Sequence, residues 1–142
     1  MSIKLVQVKL LLREIRTDNE RYHQLHNLLK EQRLCMIRRT SDALIAVNEQ
    51  IDLLYPVLSL STRVRREVLL SLGVTPDGAG MARVFSWLPA VQKTAARQAW
   101  QQLAENIEAC KRYNEKNGEL LTRQQAFVQT FLGLEPHFIY HP

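Results

Sequence analysis

Residues 100–131, WQQLAENIEACKRYNEKNGELLTRQQAFVQTF, place Trp100, Leu103, Ile107, Cys110, Asn114, Asn117, Leu121, Gln124, Val128 and Phe131 at an unbroken 3,4,3,4 spacing. Seven of these ten positions are apolar, and such a repeat keeps one stripe of a long helix against a partner helix. Asn114 and Asn117 interrupt the stripe one turn apart. A buried amide stabilises little unless it finds partners, but it does admit only those pairings that satisfy it. Both asparagines are therefore expected to set the register of the helix.

Working outward, Pro89 suits the first turn of this helix, where a missing N–H costs nothing. Gly133 is expected to end it, giving a helix over about 90–132 and a tail over 133–142. Upstream, Gly73 to Gly80 (GVTPDGAG) holds three of the five glycines and reads as a helix-to-helix loop. No strand precedes it and no Lys-Ser/Thr follows, so it is not read as a phosphate-binding loop. Residues 81–88 form a short helix whose Val84, Phe85, Trp87 and Leu88 are too apolar for solvent, and which is expected to close over the longer helices as a cap.

The first helix spans about 3–36, with Leu5, Val8, Leu12, Ile15, Tyr22, Leu25, Leu29 and Met36 on a helical stripe. Thr40, Ser41 and Asp42 signal a new start. The second helix spans about 41–72 and carries Leu44, Val47, Ile51, Leu54 and Leu58. Pro56 predicts a kink or break near Tyr55, with Ser59, Ser61 and Thr62 capping the continuation. No sheet is expected. The fold class is all-α: an elongated antiparallel helical bundle or coiled coil with a short helical cap, forming one domain over 1–142.

Composition narrows the function classes. The chain has 142 residues, 46% hydrophobic and 23% charged, ordinary for a globular domain. No stretch of about 20 apolar residues and no signal-peptide core is read, so a cytoplasmic protein without a membrane span is expected. The +5 net charge divides as +4 over residues 1–72 (twelve Lys/Arg, eight Asp/Glu) and +1 over 73–142 (seven and six). That dispersal argues against nucleic acid, although a basic helical nucleic-acid-binding or regulatory protein stays as an alternative class, beside a self-associating coiled-coil adaptor. Cys35 and Cys110 sit on apolar helical faces and read as reduced thiols. His23 and His26 lack a third ligand nearby, and Glu105, Glu108, Glu115 and Glu119 read as a solvated face. No active site, metal or cofactor is indicated, and the chain reads as an interaction protein rather than an enzyme.

One run is less generic. Leu69, Leu70, Leu72 and Gly73 close a helix; a Pro-Asp-Gly loop and a short apolar helix follow; then come Trp100, Leu103 and Tyr113-Asn114-Glu115-Lys116-Asn117-Gly118-Glu119-Leu120-Leu121. A tryptophan two heptads before Asn-x-x-Asn-Gly-x-Leu-Leu resembles the FlgN-type flagellar export chaperones, over nearly the whole chain. The resemblance implies a small cytosolic helical protein that binds the C-terminal helical segments of the hook–filament junction proteins FlgK and FlgL, prevents their early association and delivers them to the flagellar type III export gate. Recognition of that kind lays an amphipathic helix against an apolar surface and needs no cofactor.

On that implication, Leu120, Leu121, Phe127, Val128, Phe131 and Leu132 are the residues expected to bind the client. Leu121 and Val128 lie on the seam and also read as core, whereas Leu120 and Phe127 project off it and suit a surface left open until a client arrives. The tail Glu135-Pro136-His137-Phe138-Ile139-Tyr140 resembles the family's aromatic tail, which implies export-gate docking through Tyr140; folding of Phe138 and Tyr140 back over the bundle end is the alternative. Whether the free protein is a homodimer is open at this stage.

Overall fold

The computed structural model describes residues 2–127 and 129–130. It contains α1 (Ile3–Arg38), α2 (Ser41–Ser71), α3 (Gly78–Ser86) and α4 (Ala90–Phe127), with no strand among the described residues. The three long helices run up, down and up, with α1 packing extensively against both α2 and α4. Consecutive long helices are antiparallel, so α1 and α4 are parallel.

The parallel pair is held in heptad register. Val8, Ile15, Tyr22, Leu29 and Met36 recur every seven residues on α1, as do Ala96, Leu103, Cys110, Asn117 and Gln124 on α4. The two series keep a constant offset of 88 residues: Cys110 Sγ donates to the Tyr22 carbonyl at 3.3 Å, Asn117 Nδ2 to that of Leu29 at 2.8 Å and Gln124 Nε2 to that of Met36 at 2.8 Å. Only alternate members of the 3,4 spacing are therefore the seam proper. Leu103, Cys110 and Asn117 are buried, whereas Trp100, Ile107 and Leu121 are half-buried and Asn114 is exposed.

Residues on α1 three positions after this row, Leu11, Asp18, Leu25 and Gln32, face α2, which presents Val47, Ile51, Leu54, Leu58, Ser61, Arg65 and Val68. Apolar burial is divided. One cluster gathers Leu11, Ile15, Leu69 and Leu103 around Met81, Val84 and Phe85 of α3; the other gathers Leu25, Leu29, Ile51, Leu58 and Cys110 farther along. Thus α3 is a plug for one bundle end, with Val84 and Phe85 inserted and Trp87 and Leu88 at its margin.

Three expectations change. First, α2 continues through Pro56. The proline lies on the exposed side of the helix, where the carbonyl it leaves without a helical donor can meet water. Ser61 and Thr62 therefore do not cap a new helix: Thr62 Oγ1 donates back to the Leu58 carbonyl at 3.1 Å, and Ser61 turns into the α1 interface. Second, α3 begins at Gly78 because Asp77 caps it, accepting from Gly80 N at 3.0 Å and from Thr75 Oγ1 at 2.6 Å. A Cβ on Gly80 would lie 1.7 Å from the Thr75 carbonyl oxygen, so this turn requires glycine. Third, α2 is long and apolar enough, by length and composition, to cross a membrane. It qualifies because it is apolar on two sides: the face packed on α1, and an outer stripe with Ile45, Leu53, Val57 and Leu60 exposed.

Candidate functional site

Asn117 is the most heavily engaged member of the seam. Its Nδ2 donates to the Leu29 carbonyl and to Gln32 Oε1 at 3.0 Å, while its Oδ1 accepts from Arg33 Nη1 at 3.4 Å. The buried amide is thus satisfied on both sides. Asn114 points outward, and the half-buried Tyr113 beside it meets His26 edge-on at 5.4 Å between ring centroids. The expected pair of register amides is therefore split, since one turn carries 114 off the buried row that 117 occupies. Asn19 supplies a further amide contact of this interface, donating to the Ala99 carbonyl and accepting from Asn106 Nδ2, both at 3.0 Å. Partial burial, with Lys30 and His23 nearby, lowers the His26 pKa. Among the described residues no group of three or more His, Cys, Asp or Glu could hold a metal ion.

A polar cluster that sequence reading missed ties all three long helices. Asp18 is fully buried and its Oδ2 meets both Arg65 Nη1 and Ser61 Oγ, the latter at 2.7 Å. Its Oδ1 accepts from Arg21 Nη1 at 2.9 Å. Glu14 Oε2 stands 3.1 Å from the same serine hydroxyl. The Arg65 guanidinium, itself buried, lies 5.9 Å from the Trp100 ring centroid on α4. Trp100 therefore covers a buried charge, which gives the tryptophan of the sequence signature a physical role. The available signal was a charged residue at an apolar-stripe position on each of two paired helices: Asp18 between Leu11 and Leu25, and Arg65 in step with Ile51 and Leu58.

Of the expected client-binding residues, Leu120, Leu121 and Phe127 lie toward the other end of the bundle. Leu120 and Leu121 are both half-buried, so the structure does not separate them as surface and core. Leu120 follows the Asn106 and Tyr113 row on the side away from α2, and Leu121 follows the Trp100 and Ile107 row beside it. Phe127 is 46% exposed, with the Arg39 guanidinium 5.9 Å from its ring centroid. Arg39 adopts a left-handed conformation, φ 54°, at the α1 C-cap, a turn that places it at this end. Leu34 and Ile37, exposed on the last turns of α1, add apolar surface here. Val128, Phe131, Leu132 and Tyr140 lie outside the described residues.

No curated protein and no solved structure matched the chain. A family model described as FlgN protein matches residues 1–134. That span contains all four helices, Trp100 against the buried Arg65, and Asn117 in the α1–α4 seam. The chain accordingly belongs to the FlgN family of flagellar export chaperones.

Proposed function

We propose that this protein is a cytoplasmic chaperone for the hook–filament junction proteins of FlgK and FlgL type, binding their C-terminal helices and handing them to the export gate. Membership of the FlgN family over residues 1–134 carries the reading. The exposed apolar side chains at the Arg39 end, Leu34, Ile37 and Phe127, support it, since an amphipathic helix needs apolar surface beside a helical groove. Within the reading, Leu120, Leu121, Phe127, Val128, Phe131 and Leu132 contact the client and Tyr140 docks on the gate. Asn117, by satisfying its amide on α1, keeps the end of α4 aligned to receive a guest. The action is binding and release, without cofactor or covalent change.

Pull-down with C-terminal fragments of FlgK and FlgL tests this. Retention of at least one fragment is expected, weakened by Phe127→Ala at little cost in thermal stability. Failure to retain either fragment contradicts the reading.

A further inference from the structure

The end of the bundle opposite Phe127 carries a second surface of different character. Residues 2–13 contain Lys4, Lys9 and Arg13 and no carboxylate; residues 78–104 contain Arg83, Lys93 and Arg97 and again no carboxylate. The fold brings these two acid-free stretches together, because Lys4 Nζ lies 3.8 Å over the Trp87 ring and a cavity of about 400 Å³ opens between α1 and the first turns of α4. Its floor is apolar, from Leu12, Ile15, Ala96 and Ala99, and Lys9 and Arg16 are its two cations. Neither cation forms an ion pair among the described residues.

The geometry points to this groove as a docking site for an amphipathic acidic helix, distinct from the client-binding end. Lys9 and Arg16 are one heptad apart, about 10.5 Å along the α1 axis at ~1.5 Å per residue. A guest helix with carboxylates at i and i+7 would meet both, while apolar side chains at i+3 and i+4 enter the Leu12 and Ala99 floor. Two parallel helices with a concave apolar strip between them fit a third helix, whereas a flat anionic surface would reach the cations and leave the strip uncovered. Long-range attraction by the cations of these two stretches would speed the encounter, and the heptad spacing of Lys9 and Arg16 would set the guest's register.

The test uses full-length protein and a fluorescent helical peptide of two to three heptads, with Glu at i and i+7 flanking leucines at i+3 and i+4, read by anisotropy. Saturable binding that weakens with added salt is expected, lost at least tenfold in Lys9→Glu/Arg16→Glu and regained by that variant with a peptide carrying Lys in place of Glu. Phe127→Ala should leave it unchanged, which separates this site from the client end. Both charge substitutions are at exposed positions, and an unchanged circular dichroism melt would show that folding is intact. Absence of saturable binding, equal binding by the doubly substituted protein, or binding to phosphatidylglycerol vesicles in place of the peptide would each overturn the assignment.

Discussion

Asn114 and Asn117 sit one turn apart on α4, yet truncating them should have unequal consequences. Asn117→Ala removes an amide bonded to Leu29, Gln32 and Arg33, and an expected loss of about 1–3 kcal/mol follows from leaving such partners buried. Asn114→Ala, on the exposed face, should stay within about 0.5 kcal/mol; urea unfolding of both variants checks the contrast. Sequence periodicity located both amides but could not choose between them, because a 3,4 repeat describes a stripe two residues wide and only the partner helix decides which row is buried. Asp18 is the larger lever. Asp18→Ala leaves Arg65 buried beside Trp100 without its carboxylate, and should cost about 3–5 kcal/mol. Replacing both charges with apolar residues should recover much of that loss in the same unfolding assay. Burial pushes the Cys110 thiol up to about 11, so its neutral form is the one the fold favours. The associated stability is present below the ordinary thiol value, about 9, and declines as pH rises from there through about 11. A melting temperature that falls over this window, and falls less in Cys110→Ala, is expected.

At the scale of elements, helix lengths and the short apolar cap were readable because heptad spacing, Thr40-Ser41-Asp42 and the Gly73–Gly80 loop are local signals. The uninterrupted course of α2 was not. Propensity argues for a kink or a break at Pro56, but packing of Ile51, Leu54 and Leu58 on α1 spans it and the helix is not broken there. Pro56→Ala should consequently stabilise α2: the helix-interior penalty of ~3 kcal/mol, less ~0.4–1 kcal/mol of proline's restriction of the unfolded chain, leaves a gain of about 2–2.6 kcal/mol, read as a higher denaturation midpoint. The α2–α3 turn has no such tolerance. A methyl group on Gly80 meets backbone rather than a movable side chain, and Gly80→Ala should lower stability by at least about 2 kcal/mol, with the loss of a cooperative melt as the extreme outcome.

For the whole molecule, the parallel α1–α4 pair joins two ends of unlike chemistry. One is plugged by α3 and bordered on its α1 and α4 sides by Lys4, Lys9, Lys93 and Arg97; the other carries Phe127, Leu34 and Ile37 exposed. The polar contacts along the seam, from Asn19 through Asn117 to Gln124, keep the pair in one register over its length. Family membership supplies the biological setting, an export chaperone of the flagellum, which no reading of periodicity alone could have reached; the tryptophan and paired asparagines were what made it legible. The most direct measurement is a calorimetric titration of the full-length chain with a C-terminal fragment of a FlgK-type junction protein, run in parallel on Phe127→Ala and Leu121→Ala. Saturable binding is predicted, weakened more by Phe127→Ala than its melting temperature would explain, with Leu121→Ala losing more stability than affinity. Absence of binding by the unaltered chain, or equal losses of stability in the two variants with affinity unaffected, would contradict the account.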